Sequence, residues 1–172
     1  MACTLSSGQS LSCRESVGGL KTAYILDASG QAIEVTEAAG VVSAFTVGGS
    51  AITNLSIEMF EFEQTKQTAS LVETVTASEE AGTVYYQSVL SLVFNKLESD
   101  KLNALKVLAA NSKLAIVVKD NNDNLWMVGN TNGAVVSGGS SETGVAFGDR
   151  SGITIEFTGY HSSPMYSVTV AE

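Results

Sequence analysis

Apolar and polar residues alternate along much of the chain with a period of two, which is typical of half-buried β-strands. The longest alternating stretch runs from Ser56 to Phe94 and is interrupted by a polar turn at Ser78–Gly82. In its second half, one face carries Val84, Tyr86, Leu90, Leu92 and Phe94. We therefore predict one long β-hairpin over 56–94, whose arms exceed the usual strand length of about 5–6 residues. Such a hairpin is long enough to project from a small domain and to need a partner.

Shorter patterns predict the other elements. Strands are expected at 21–26, 33–35, 41–47, 113–119, 125–129, 134–136, 153–159 and 165–170. The run 113–119 is almost wholly apolar, which favours a central strand. A single helical turn is expected at 36–40 and a flexible surface loop at 137–144.

Only residues 99–110 show helical spacing, with Leu102, Leu105 and Leu108 three residues apart on one face. Ser99 or Asp100 can cap this helix, which we expect to lie across a sheet. The length of 172 residues suits a single domain spanning 1–172. Residues 1–20 are predicted to be an irregular arm, either reaching onto a neighbouring subunit or simply frayed.

The formal net charge is −9, from 18 acidic and 9 basic residues. An acidic surface repels phosphate, which argues against a module that binds DNA or RNA. No apolar run approaches the ~20 residues of a membrane helix, and the N-terminus lacks the features of a secretory signal. We therefore expect no membrane span and synthesis in the cytoplasm.

Residue types that often perform chemistry occur here without the rest of their motifs. His161 lies beside Ser162 and Ser163, but no serine has the Gly-x-Ser-x-Gly context of a hydrolase. The polar run 120–124 has Leu125 and Thr131 where a calcium loop needs glycine and glutamate, so it predicts a plain turn. The glycines at 137–144 lack the lysine of a phosphate-binding loop. We predict no catalytic residue, no cofactor and no metal site, and not an enzyme.

Cys3 and Cys13 are the only cysteines. They are either two reduced thiols, a disulfide with each other, or bonds to a neighbouring subunit. Glu61 and Glu63 lie two residues apart, and we interpret them as an acidic stripe that faces solvent or a lumen.

The order of elements from Tyr85 to Val170 carries a family resemblance over about half of the chain. A strand with Tyr85–Leu90 precedes the helix, and Lys113–Asp120, the Asn-rich turn and Leu125–Gly129 follow it. The stretch then contains Asn132-Gly133, Gly144, Gly148-Asp149, Gly152–Phe157 and a final strand after Pro164. This order resembles small virion structural proteins of tailed bacteriophages, and most closely tail tube subunits.

The resemblance implies a mainly β fold: a β-sandwich or small barrel with a long projecting β-hairpin and one flanking α-helix. Six subunits would form a ring, and stacked rings would form a tail tube through which DNA passes without specific binding. Glu61 and Glu63 would then face the lumen, and Leu71, Val75, Val84 and Tyr86 would contact neighbouring subunits. The partners would be other copies of the chain and other virion proteins.

The location implied is the virion tail, after synthesis in the host bacterial cytoplasm. The same resemblance leaves four alternatives open: a capsid decoration protein, a head–tail connector or completion protein, a tail terminator, and the tube protein of a contractile injection system.

Overall fold

The computed structural model describes Gly8 and residues 14–171, so the prediction for Cys3 and Cys13 lies outside the described residues. The described chain is mainly β, with twelve strands, two α-helices and one 3₁₀ helix. The strands are β1 (Leu20–Asp27), β2 (Ile33–Ala38), β3 (Val41–Val47), β4 (Ser50–Ile52), β5 (Phe60–Glu63), β6 (Ser70–Ser78), β7 (Thr83–Asn95), β8 (Leu114–Asp120), β9 (Leu125–Val128), β10 (Ala134–Glu142), β11 (Gly152–His161) and β12 (Ser167–Val168). The helices are α1 (Leu55–Glu58), α2 (Ser99–Ala110) and the 3₁₀ helix Asn130–Asn132.

The strands belong to one mixed sheet of twelve. Its main path runs β2-β3-β12-β9-β8-β10-β11-β7-β6, with β1 beside β8, β5 beside β1, and β4 beside β3. The only parallel pair of named strands in the described residues is β12 with β3. The strand pairing between β8 and β10 consists of one residue pair, Leu114 with Ala134. This single pair joins the group β10-β11-β7-β6 to the rest of the sheet.

Strand β8 lies at the centre of the fold, as its apolar run predicts. Ala115 and Val117 point into one core cluster, whereas Leu114, Ile116 and Val118 point into a second. Alternate side chains of a strand face opposite sides of a sheet, so β8 is covered on both faces. Two cores therefore share one central strand.

The first core lies among β1, β2, β3, β8, β9 and β12, and α1 adds Leu55 to it. The second combines Ile25 and Ile116 from the central strands with Leu90, Leu92 and Phe157 from β7 and β11. Helix α2 rests on this second core through Leu105 and Leu108 alone, and both are only partly buried. No residue of α2 is fully buried.

Several predicted elements are confirmed. The strand at 41–47 and the helix at 99–110 have the predicted bounds. The strand predicted at 153–159 is present and extends to His161. The turn between the arms is also present: the Gly82 N–H donates to the carbonyl oxygen of Glu79.

The prediction of one hairpin from Ser56 to Phe94 is wrong in its first half. The Asn54 side chain accepts a hydrogen bond from the Ile57 N–H and starts α1. The Glu58 carboxylate accepts hydrogen bonds from the Asn54 and Thr53 N–H groups, which lower the pKa of Glu58. These caps turn the chain, and β5 then pairs with β1 instead of β7. The strand that forms a hairpin with β7 is β6, from Ser70 to Ser78.

Three shorter predictions are also corrected. The predicted helical turn at 36–40 is the end of β2 and a tight turn, in which Ala39 and Gly40 have positive φ. Most of the predicted loop at 137–144 is strand β10, because it pairs with β11 as far as Glu142. The last strand is short, covering only Ser167–Val168.

Candidate assembly surface

The register of β6 and β7 places the four predicted contact residues on one face. Leu71 lies opposite Leu90, and Val75 lies opposite Tyr86. Val84 is two residues from Tyr86 and therefore shares its face. Leu71 packs against the second core, whereas Val75 and Val84 are 56% and 55% exposed. The face is thus buried at its base and open to solvent at its far end.

At the far end, no third strand of the described residues pairs with β6 or β7. Strand β11 follows β7 only to the pair His161 with Tyr86. Beyond it, Thr76 pairs with Tyr85 and Ser78 with Thr83, and in the described chain these residues pair only with each other. We define the β6–β7 ribbon as residues 75–86.

Apolar side chains are exposed on both faces of this strand pair. Val75 and Val84 lie on one face, and Val72 and Tyr85 lie on the other. The ring centroids of Tyr85 and Tyr160 lie 6.2 Å apart, so the second apolar face continues onto β11. The outer edge of β6 pairs with no strand among the described residues. A free edge flanked by exposed apolar residues is a surface on which another chain can add.

A buried polar cluster fixes the base of the ribbon to the body. Ser88 Oγ lies 2.8 Å from His161 Nε2, and both residues are buried. The Glu73 carboxylate lies 3.7 Å from the same nitrogen and accepts a 2.8 Å hydrogen bond from the Met165 N–H. The cluster therefore joins β6, β7, β11 and the segment after β11. The Tyr86 ring stacks on the imidazole with centroids 6.1 Å apart.

The arrangement of these groups differs from that of a hydrolytic triad. In a triad, the serine and the carboxylate contact opposite nitrogens of the imidazole. Here Ser88 and Glu73 both face Nε2, and the carbonyl oxygen of Ser163 faces Nδ1. Ser88 can donate to Nε2 of the neutral ring only when the ring proton is on Nδ1, where the Ser163 carbonyl oxygen can accept it. Since Ser88 has no exposed surface, the cluster is arranged to hold strands together.

His161 has a hydroxyl partner that was not predicted from the sequence. Its hydroxyl partner is Ser88, which lies 73 residues away in the chain. The signal available in the sequence was the polar pair Glu73 and Ser88 within otherwise apolar alternation. That pair becomes informative only once the register places the two residues opposite each other.

The two predicted lumen residues lie on β5. Glu61 and Glu63 are exposed and alternate with Phe60 and Phe62. Among the described strands β5 pairs only with β1, so both glutamates lie on an edge strand. They are separate in the sheet order from the β6–β7 ribbon.

The polar run 120–124 is a turn whose side chains bind to the chain itself. Burial raises the pKa of Asp120, but hydrogen bonds from the Asn124 N–H and the Trp126 ring N–H outweigh it and lower that pKa overall. Lys21 Nζ lies 2.6 Å from the Asp123 carboxylate. Within residues 14–171 and Gly8, no group of three or more His, Cys, Asp or Glu side chains is placed to hold a metal ion.

The same turn binds the described part of the N-terminal segment. The Asn122 side chain accepts from the Val17 N–H and donates to the Val17 carbonyl oxygen, and Asn121 Nδ2 donates to that of Gly18. Residues 17–18 of the predicted arm therefore contact their own domain.

Comparison with known proteins returned no matching family model, no similar curated protein and no similar solved structure. Among the helices of the described residues, none has the length and apolar character needed to cross a membrane.

Proposed function

We propose that this chain is a tail tube subunit of a tailed bacteriophage, which assembles into stacked hexameric rings around a channel for DNA. The observation that carries the proposal is the β6–β7 ribbon. It has a free edge and bears apolar side chains on both faces. An isolated two-stranded ribbon is marginally stable in water, so contact with a neighbouring copy would stabilise it.

The open sheet supports a ring. Its path ends at β2 on one side and β6 on the other, and β5 forms a further edge beside β1. Contact between unlike edges of neighbouring copies is heterologous, and it closes into a ring when the rotation allows. In this proposal each subunit forms a sandwich or small barrel, the ribbon projects from it, and the sheets of neighbours join around the lumen. Joining the edges would also remove the aggregation hazard of an open sheet.

The charge of the chain suits a channel for DNA. The net charge is −9, and Glu61 and Glu63 are exposed on an edge strand. If β5 lines the lumen, its carboxylates repel phosphate, and DNA slides past without binding. The protein would then reside in the virion tail after synthesis in the host bacterial cytoplasm, in contact with other virion proteins.

The test shortens the ribbon while keeping its anchor. Replacing Thr76–Tyr85 by Asn-Gly joins the opposed residues Val75 and Tyr86 through a two-residue turn. The cluster of Glu73, Ser88 and His161 remains intact. We expect a folded protein that no longer forms rings or tubes in negative-stain micrographs, whereas the full chain forms both.

A milder variant separates apolar contact from ribbon length. Val75→Thr with Val84→Thr keeps the β-branched shape but makes the face polar, and it should weaken assembly. Val135→Thr on β10 is the matched control, because this valine is also exposed but lies outside the ribbon.

If the shortened chain still assembles, the ribbon is not the assembly element. A full-length protein that decorates empty capsids as a monomer or trimer, or forms single rings that never stack, would favour a decoration protein or a connector.

A further inference from the structure

A pocket of about 440 Å³ lies where the start of β6 meets the turn between β8 and β9. Its apolar lining includes Leu71, Trp126 and Met165, and all three residues are partly exposed. Leu71 and Trp126 also pack against the second core, which fixes this side of the pocket. Ligand pockets usually measure about 300–1,000 Å³ and combine apolar walls with a few polar groups. The pocket therefore has the size of a small-molecule site, and its residues lie outside the β6–β7 ribbon.

The Trp126 ring is held in place by the turn. Its ring N–H donates a 3.1 Å hydrogen bond to Asp120 Oδ2. The Asp120 carboxylate also accepts hydrogen bonds from the N–H groups of Asn122 and Asn124 and from the Asn124 side chain. A carboxylate offers about four acceptor sites, and these four donors occupy them. Asp120 therefore positions the indole, and its oxygens are satisfied within the turn.

Two side-chain amides line the pocket and are able to bond to a ligand. The Gln67 amide has no hydrogen-bond partner among the described residues. The Asn122 amide bonds to the Val17 N–H and carbonyl oxygen, which leaves it one N–H and one acceptor site. Each amide thus offers a donor beside an acceptor, and neither carries a charge.

The backbone at Gln67 adopts a conformation that is uncommon for any residue except glycine. Its φ is 64°, in the left-handed region. The turn is fixed by the Thr68 hydroxyl, which donates to the Thr65 carbonyl oxygen at 2.6 Å, and by the Asn95 side chain, which donates to the Thr65 hydroxyl. Backbone strain of this kind clusters at ligand sites, where one side chain must be held in one direction. Gln67 therefore costs stability that a glycine would not, as expected where the side chain serves a ligand.

We infer that the pocket binds a neutral sugar, whose ring packs on the Trp126 indole and whose hydroxyl groups bond to Gln67 and Asn122. A sugar ring has an apolar C–H face that suits an aromatic surface. Each sugar hydroxyl is a donor and an acceptor, which matches the paired groups of an amide. A charged ligand would need a free ionic partner, and among the described residues that line the pocket only Asp120 is charged.

Fluorescence reports on this site alone, because Trp126 is the only tryptophan of the chain. The neutral probes are maltose, lactose and N,N′-diacetylchitobiose, added to the full-length protein below the concentration at which it assembles. Chitobiose is the charged comparison, because it carries ammonium groups where diacetylchitobiose has acetamides. We expect a saturable change in Trp126 emission with at least one neutral probe, with a Kd on the order of 1 mM.

The Gln67→Gly variant separates binding from stability, because it removes the amide and relieves the backbone strain. The Kd should rise about two- to tenfold, as expected for one lost hydrogen bond, while the urea midpoint does not fall. Gln31→Gly is the matched control, because Gln31 is also an exposed glutamine but lies outside the pocket. This control should bind the same probe with the affinity of the wild type.

Three results would overturn the sugar site. The first is no saturable change with any neutral probe, and the second is equal affinity in the Gln67→Gly and Gln31→Gly variants. The third is binding of chitobiose more than about tenfold tighter than that of diacetylchitobiose, which would make the Asp120 charge the recognised feature. All three leave the proposed tube function standing, because binding is measured on unassembled protein. A chain that binds a neutral probe but never forms rings would keep the sugar site and overturn the tube proposal.

Discussion

The Glu73 carboxylate offers a sharp test of how the ribbon is anchored. It accepts a 2.8 Å hydrogen bond from the Met165 N–H and lies 3.5 Å from Ser88 Oγ. Glu73→Gln keeps an acceptor oxygen in nearly the same place but removes the charge. Glu73→Leu keeps the approximate volume and removes the acceptor. The two variants therefore separate the hydrogen bond from the packing.

The expected magnitudes follow from these contacts. A hydrogen bond to a charged group contributes roughly 1.5–3 kcal/mol to stability, and one between neutral groups roughly 0.5–1.5 kcal/mol. Glu73→Gln should therefore lower the free energy of unfolding by about 1 kcal/mol, and Glu73→Leu by about 2–3 kcal/mol. Glu79→Leu is the control, because Glu79 is exposed at the turn, and it should change stability by less than about 0.5 kcal/mol.

Two measurements test this prediction. Urea unfolding followed by circular dichroism, at a concentration where the protein is monomeric, gives the global change with an unaltered m-value. Hydrogen exchange at the Met165 amide gives the local change in stability, because Glu73→Leu removes the acceptor of the Met165 N–H group. Equal unfolding free energies for Glu73→Leu and Glu79→Leu, or unchanged exchange at Met165, would refute the anchoring role.

Two further predictions concern backbone geometry and pH. Gly129 has φ of 78°, and a Cβ there would lie 2.2 Å from the Gly133 carbonyl oxygen, so Gly129→Ala should cost more than the roughly 1–3 kcal/mol of left-handed strain alone. Gly82→Ala is the control, because Gly82 has φ of 62° with open space around it, and urea midpoints compare the two. Hydrogen bonds from Lys96 and a second lysine lower the pKa of Glu98 to about 2. Because this pKa lies below the ordinary value of 4.5, the ionised Glu98 side chain stabilises the fold above pH 4.5, and the stabilisation is lost as the pH falls toward 2. The Glu98→Gln variant should therefore lose less stability than the wild type between pH 5 and about 2.5. A wild-type slope in that variant would contradict the assignment.

Elements set by neighbouring residues are those that the sequence predicts well. The helix at 99–110 follows from leucines three residues apart, and its bounds agree with the structure. The predicted cap is wrong, because the N-cap is Glu98 and not Ser99 or Asp100, and its side chain makes no capping hydrogen bond. The central strand β8 follows from an apolar run that only a position covered on both faces can accommodate. In both cases the signal lies within a dozen residues of the element itself.

The pairing of strands, in contrast, is not determined by the residues of each strand alone. Strands β5 and β6 are both alternating stretches before β7, and period-two patterns do not state which of them β7 should pair with. The structure pairs β7 with β6 because the caps around Asn54 redirect the chain and β5 completes the edge beside β1. The same non-local pairing brings Ser88 to His161, so the buried cluster of Glu73, Ser88 and His161 could not be predicted from the spacing of residues in the sequence.

The sequence by itself determined the mainly β class, the one long helix, the central strand and the apolar alternation of the β6–β7 face. Those features depend on local periodicity, which each segment carries in its own residues. Only the tertiary structure decided that Val75 and Val84 are exposed and that Glu73 and Ser88 lie against His161. The physical reason is that exposure and contact depend on which distant segments cover a residue, and many pairings satisfy the same local pattern.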